Sequence, residues 1–371
     1  MKYIRHIFTA LFSILLLVSL SACGSERGGT GTLSLSLTDA ATPDYNAIYV
    51  TIKEVRVHRK DGSGWQVAAT PHKTYNLLEL VNGVREHLGM AELQTGFYTQ
   101  MRLIIGGTAD SGFNIKSERH PFANYFIDSS NVEHELKIPS GPQTGIKISG
   151  FFINQDETTE LILDFDASKS IVKAGSSGKW LLKPTIKVLN TDYYSIINGT
   201  VDTIEGVLVS AQEYNPSASD PQDEVLVQTA TLTDINGLYK MFLEPGTYNI
   251  VAYKESNSPV CSRMTVAPDT VNTLPMTLSH ASTGNISGSV DISASSDEQY
   301  VTLSIRQTFS CQGIGTDQQI EVKSVNIANG GAYSINLPYG TYNVVASTYG
   351  RSTQEHGVNI SSSSTTLNLL F

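Results

Sequence analysis

At 371 residues the chain is long enough for two or three domains, each with its own core. Its 40% hydrophobic and 16% charged residues describe a globular body and exclude a disordered one. The 25 basic and 35 acidic residues give a net charge of −10 without long single-sign runs, so no basic face is available for nucleic acid.

In chain order, the first element is an export signal. Lys2 and Arg5 precede an apolar run from Ile7 to Val18 that is too short to span a bilayer comfortably. A retained N-terminal anchor is the competing reading. Small residues then lead to a cysteine in "LSAC", Leu20 to Cys23, which resembles the lipobox of bacterial lipoproteins. The resemblance implies cleavage after residue 22, lipid on the Cys23 sulfur and acylation of its new amino group, which together give a stable anchor. Gly24 and Ser25 do not resemble the Asp of inner-membrane retention, so a bacterial cell-envelope location at the outer membrane is expected ahead of the inner one. Residues 23–31, rich in Gly and Ser, form a flexible tether.

From residue 32 the reading is all-β. "TLSLSLTDA" alternates apolar and polar residues, as does "AIYVTIKEVRVHR". The buried face of the latter switches between Ile52 and Val55, which predicts a bulge near Lys53 and Glu54. "NGVREHLGMAEL" offers Val84, Leu88 and Leu93 on one face and predicts one or two helical turns. "LQTGFYTQMRL" is a Gly-containing turn followed by Tyr and an alternating run. "TGIKISGFFIN" and "TTELILDFDA" are predicted to form a hairpin, and "GKWLLKPTIKVL", with Pro184 at an edge or bulge, closes the first domain at 190.

The remaining chain repeats itself. "INGTVD" and "ISGSVD" are matching first strands, and "LEPGTYNIVAY" and "LPYGTYNVVAS" are matching Gly-x-Tyr strands. Asn236-Gly237 between alternating runs predicts a hairpin, with Asp234 bonding the turn backbone. The division is therefore 32–190, 196–279 and 284–371, tandem β-sandwiches in which the Gly-x-Tyr repeat marks copies of a fold and not copies of an active site.

"GTLSLSLTDA", "AIYVTIKEVRVHR", "GFYTQMRLII", "SGPQTGIKI", "LILDFDASKSIV" and "WLLKPTIKV" make the stretch from Gly31 to Leu189 resemble the bacterial domain of unknown function 4382. That family lends organisation and no chemistry. "GTVD", "TDINGLY" and "PGTYNIVA" make the second unit resemble a carboxypeptidase regulatory-like domain, which implies a transthyretin-like (prealbumin-like) sandwich. The third keeps "GSVD" and "GAYSINLPYGTYNVVA" but has "IANGGAY" in place of the Thr-Asp-x-Asn-Gly turn. The fold is grouped with carbohydrate-binding-like sandwiches, which does not license a sugar-binding claim.

Chemistry is sparse. Nucleophile-elbow, zincin and phosphate-loop motifs are missing from the sequence, and His58, His72, His87, His120 and His134 are dispersed. No catalytic residue and no cofactor is assigned, and the ligand-binding residues are not identified. Asp164 and Asp166, two apart in a strand, share a face and are weak candidates for holding a metal such as Ca²⁺, although two carboxylates are few ligands. Asp39 and Asp44 complete the acidic set, and Trp65, Trp180, Tyr45, Tyr193 and Tyr194 are the aromatic residues that could make a carbohydrate platform. Cys261 and Cys311 either pair across the second and third domains, closing a loop of about fifty residues worth about 4 kcal/mol, or stay as buried free thiols.

The functional expectation is a lipid-anchored, non-enzymatic envelope protein that binds or scaffolds a polysaccharide or another envelope protein. The alternative is a hydrolase or metal-dependent enzyme sited on the first domain.

Overall fold

A computed structural model describes residues 29–371 apart from 41, 63, 140–142, 147, 149, 174–178, 203 and 294–298. Cys23 and the segment around it lie outside the described residues. Nearly every element is a strand, and the alternating patterns are the cause. Thr30–Ala40 buries Leu33, Leu35 and Leu37 completely, each two residues apart on one face.

Among the described residues, three large apolar cores mark three successive sandwiches. The first extends from Leu33 to Ile186, the second from Ile197 to Leu278, and the third is built around Ile286 to Leu369. In the first unit one sheet runs Ile186–Asn190, Thr158–Asp166, Thr30–Ala40, Glu86–Gln94. The facing sheet is centred on Ala47–Arg59 and Gly96–Ile105. The second unit packs Leu238–Leu243, Ser195–Thr200 and Val271–Thr273 against a four-stranded sheet of Val225–Leu232, Leu208–Tyr214, Gly246–Tyr253 and Val260–Val266. The third repeats the plan, with Ala332–Pro338 and Thr283–Asp291 facing Gln318–Ala328, Tyr300–Phe309, Gly340–Ser347 and Gln354–Ile360.

The Gly-x-Tyr repeat has a physical basis. Tyr98 donates its hydroxyl hydrogen bond to the Gln94 carbonyl at 3.0 Å, Tyr248 to Glu244 at 2.8 Å and Tyr342 to Pro338 at 2.9 Å. In each copy the acceptor lies four residues back, across the turn, so a buried ring pins the entry of its own strand. This is the logic of a tyrosine corner. Gly96 and Gly340 take φ of 143° and 157°, which a side chain would strain.

Bulges account for the bulge prediction and for one correction. The pairing of Ala47–Arg59 with Gly96–Ile105 shifts register between Ile52 and Glu54, leaving Lys53 as the extra residue, as the switch of faces predicted. The segment predicted to be helical is instead the strand Glu86–Gln94. Its register against Thr30–Ala40 shifts opposite Leu35 and Ser36, so Leu88 and Leu93, an odd number of residues apart, both turn inward. That break in the period of two imitates helical spacing.

Two predicted hairpins are also corrected. Gln143–Ile146 and Phe151–Ile153 both pair with Gly96–Ile105, whereas Thr158–Asp166 crosses to the other sheet and lies parallel to Thr30–Ala40. At Asn236-Gly237 the turn forms as expected: Asp234 Oδ1 accepts from the amides of Asn236 at 2.9 Å and Leu238 at 2.8 Å. The strands it joins do not pair with each other, because Val225–Leu232 pairs with Leu208–Tyr214 and Leu238–Leu243 with Ser195–Thr200. The turn carries the chain from one sheet to the other.

Candidate functional site

The three sandwiches converge on one junction, and each pair of units is tied there. Between the second and third, Arg306 is only 1% exposed. It lies on the side of its strand away from the third core, and its guanidinium donates to the carbonyls of Pro221 at 2.6 Å and Gln222 at 3.0 Å. Its Nε donates to Ser304 Oγ at 2.9 Å, and Ser304 in turn donates to Glu321. Gln212, equally buried, grips the backbone of Glu321 from the second unit: Nε2 donates to the carbonyl at 2.7 Å, and Oε1 accepts from the amide at 2.8 Å. Glu321 stands opposite Arg306 in the third unit's ladder, next to the register shift at Val322, and the Gln212 side chain satisfies both its main-chain groups from the second unit.

Cys261 and Cys311 form a disulfide across the same two units, with Cα atoms 4.6 Å apart. The neighbouring backbone joins as well, with Gln312 donating to Cys261 at 2.9 Å and Arg263 to Gln312 at 2.8 Å.

The first unit is held by other groups. Lys187 Nζ donates to the Val227 carbonyl at 2.7 Å and the Gln228 side chain at 3.0 Å, and the Asn82 amide donates to Thr231 Oγ1 at 2.7 Å. Toward the third unit, Lys323 pairs with Asp44 at 2.9 Å, Asn326 donates to the Lys169 carbonyl at 3.0 Å, and Lys173 pairs with Ile327 in a parallel bridge that makes one sheet continuous across both units.

Enclosed by these ties is a cavity of about 230 Å³ walled by all three units. Leu208, Val227 and Val322 give it apolar surface, and Ser210, Ser324 and Asn336 give it hydrogen-bonding groups. Two ion pairs, Asp44 with Lys323 and Asp166 with Lys169 at 3.3 Å, stand in its wall. Tyr253 is 7% exposed, also lines the wall, and its hydroxyl has no partner among the described residues.

The acidic candidates separate into different roles. Asp166 caps the short helix Ala167–Ser170, accepting from the Lys169 amide at 3.1 Å and the Ser168 hydroxyl at 2.6 Å. Asp164 is buried across from Lys187 in the ladder, and Asp39 is buried on the adjacent parallel strand, where Oδ1 accepts from the Ala167 amide at 3.2 Å. Asp39 Oδ2 and Asp164 Oδ1 lack partners among the described residues. Burial pushes the Asp164 carboxyl up to about 6, opposed by the Thr229 hydroxyl and reinforced by Asp166. Burial, then Asp164 and Asp166, raises Asp39 as well. No group of three His, Cys, Asp or Glu side chains suited to a metal occurs among the described residues.

These carboxyls give a pH prediction. Asp164 holds its proton more tightly folded than unfolded, so its contribution is fully present below about pH 4 and is lost as the pH rises toward about 6; Asp39 shifts in the same direction. Asp166, Lys169 and Lys187 face the same cluster, and burial lowers Lys187 to about 8, above that window. Asp164→Asn keeps the shape of the neutral acid and should stabilise the chain at pH 7 by ~3 kcal/mol, the equivalent of about two pKa units. Urea unfolding at pH 4.5 and pH 7 checks this: the variant's advantage should shrink at the lower pH.

Of the aromatic candidates, Trp65 lies under Arg102, 3.8 Å from the guanidinium carbon to the ring centroid, and Trp180 meets Phe126 edge-on at 4.8 Å. Tyr45 packs on Phe126 and Tyr194 on Phe242, which leaves Tyr193, 64% exposed, apart from the others. The structure thus brings no two of the predicted platform residues into a shared exposed face among the described residues. A wide groove of about 890 Å³ in the first unit contains His120 and Asp110. His120 bonds the hydroxyl of fully buried Tyr125 at 2.9 Å and stands 3.7 Å from Asp110, too far for a hydrogen bond, so the trio packs a loop and exposes no nucleophile.

Arg306, Gln212, Lys187 and Tyr253 are the junction residues that the sequence did not single out. Each occupies a strand position whose outward face becomes interior only when a neighbouring unit covers it.

No helix among the described residues is long and apolar enough to cross a membrane. No curated protein matches the chain. Among solved structures, the Bacillus anthracis TIE protein is 12% identical over 92% of this chain and 50% of its own, with a TM-score of 0.20. The chain thus spans half the length of that protein. The Streptococcal ancillary pilin is 12% identical over 92% of this chain and 98% of its own, at a TM-score of 0.20. The shaft pilin spaA from Lactobacillus rhamnosus GG is 10% identical over 47% and 96%, at 0.19. Scores this low carry no weight for function. Residues 30–184, the first sandwich without its last strand, match the family described as "Domain of unknown function (DUF4382)", and the first unit carries that domain.

Proposed function

We propose that the chain is a lipid-anchored protein of the bacterial cell envelope that works as a rigid binding or scaffolding body, without catalysis, for a polysaccharide or another envelope protein. The observation that carries this reading is the junction, where every pair of sandwiches is tied by polar contacts, those of Arg306 and Gln212 between the second and third being buried. A multidomain chain whose work is to hold a surface at a fixed place benefits from such locking, since small or polar interfaces otherwise leave domains free to move. The resemblance of the second and third units to carboxypeptidase regulatory-like domains fits an auxiliary role. "LSAC" at the N-terminal end supplies the anchor through Cys23.

Two measurements test the proposal. Cys23→Ser should leave the chain unprocessed or release it from membranes; a variant that is processed and fractionates like the parent removes the anchor from the reading. A version beginning at Gly24, used to pull down envelope extract, should retain a defined polysaccharide or envelope protein. Turnover of an envelope glycan or peptide without stable retention would favour a hydrolase instead.

A further inference from the structure

We infer that the three-way cavity is a binding site for a small neutral polyhydroxylated molecule, a single sugar ring or a polyol of similar size. This deepens the binding role proposed above and rests on it. At about 230 Å³ the space falls just below the roughly 300 Å³ at which pockets for drug-sized molecules begin, so it suits one ring and not a chain.

The chemistry of the wall selects the class. Leu208, Val227 and Val322 offer a face for C–H groups, while Ser210, Ser324 and Asn336 offer donors and acceptors. The principal charges are already matched: Asp44 pairs with Lys323 at 2.9 Å and Asp166 with Lys169 at 3.3 Å. Lys254 Nζ donates to the Glu205 carbonyl, and Glu255 accepts from Asn336 at 3.0 Å. An ionic ligand would have to break one of these contacts, whereas hydroxyls can add to them. Asp44 and Lys323, with 40% and 26% of their side-chain surface accessible, connect the cavity to solvent. Tyr253 lines the wall as well, but its unpartnered hydroxyl is closed off from the open space, so the hydroxyls and amide of Ser210, Ser324 and Asn336 are the groups left to meet a ligand.

The test uses the chain from Gly24 onward, with glucose, N-acetylglucosamine and inositol as neutral probes and glucuronate and glycine as charged and zwitterionic controls, read by ligand-observed saturation-transfer NMR. At least one neutral probe should bind, and the controls should not. Ala230→Met, which fills the wall beside Val227, should weaken binding by at least about tenfold. Ser324→Ala, which removes one of the wall's hydroxyls, should weaken it roughly fivefold, the loss of one hydrogen bond, and leave the melting temperature of the free protein unchanged. A loss of binding without a loss of stability would not follow from a purely structural Ser324, and it stands even where Ala230→Met fails to fold. Binding of none of the neutral probes, equal binding of glucuronate or glycine, or binding untouched by both variants overturns the site and leaves a water-filled cavity. If an envelope partner is still captured in the pull-down, the cavity assignment has failed and the binding role has not.

Discussion

Arg306→Ala should destabilise the protein by about 3–5 kcal/mol, the range for breaking a buried, hydrogen-bonded charge cluster by removing one member. The guanidinium is 1% exposed and makes three hydrogen bonds, two of them to main-chain carbonyls of the second unit. Truncation leaves the Pro221 and Gln222 carbonyls without their donor, removes the positive charge 3.9 Å from Glu224, and leaves buried Glu321 with Lys169 as its remaining cation. Arg306→Lys preserves the charge but has no planar fork to reach both carbonyls, so it should recover less than half of the loss. The measurement is urea unfolding of the chain from Gly24. Limited proteolysis of the free variant should also cut near Pro221–Asp223, the one-turn element that the guanidinium holds down. A cost under 1 kcal/mol, with the proteolytic pattern unchanged, would mean that the two units are joined by their apolar contacts and that the arginine is incidental.

The case of Arg306 shows what sequence could and could not reveal. "VTLSIRQTF" is a strand by its alternation, and Val301, Leu303 and Ile305 are indeed the core face. By the same rule Ser304 and Arg306 point away from the core, which in an isolated sandwich means into water. Only the presence of a second sandwich on that face turns them into interior residues, and alternation within one strand carries no information about a neighbour more than eighty residues earlier. Gln212 and Lys187 escaped notice for the same reason. Local chemistry, by contrast, read well: the Tyr of each Gly-x-Tyr turn, the Asp234 turn and the Lys53 bulge are set by contacts within a few residues or by one ladder. The failures cluster where a local signal was asked to name a distant partner. The Asn236-Gly237 turn is real, but in a two-sheet sandwich a tight turn can change sheets as well as make a hairpin. The Asp pair shows the limit on chemistry. Spacing put Asp164 and Asp166 on one face, while depth, which spacing does not encode, made one a buried acid and the other a helix cap.

Replacing both Cys261 and Cys311 with Ala should cost about 4 kcal/mol, because the bond closes a loop with a sequence separation of 50 and so restricts the unfolded chain. For the second and third sandwiches together this corresponds to a fall of roughly 8–16 °C in melting temperature. Both sulfurs are buried, with the residues 3% and 2% exposed, so reductant without denaturant should act slowly on the native protein, and free-thiol titration should rise only as unfolding begins. The bond is placed where its loss reaches beyond stability. It lies beside the backbone bridge from Ser262 to Gln312, and Cys261 and Cys311 pack in the same apolar cluster as Val251 and Tyr253, so the seam and one wall of the cavity share a support. The double variant should therefore weaken any saccharide binding at the junction by more than Ser324→Ala alone. A melting temperature within about 2 °C of the parent would show that the entropy the unfolded chain regains is offset by relaxation of the native seam, and that the disulfide adds little to the stability of the pair.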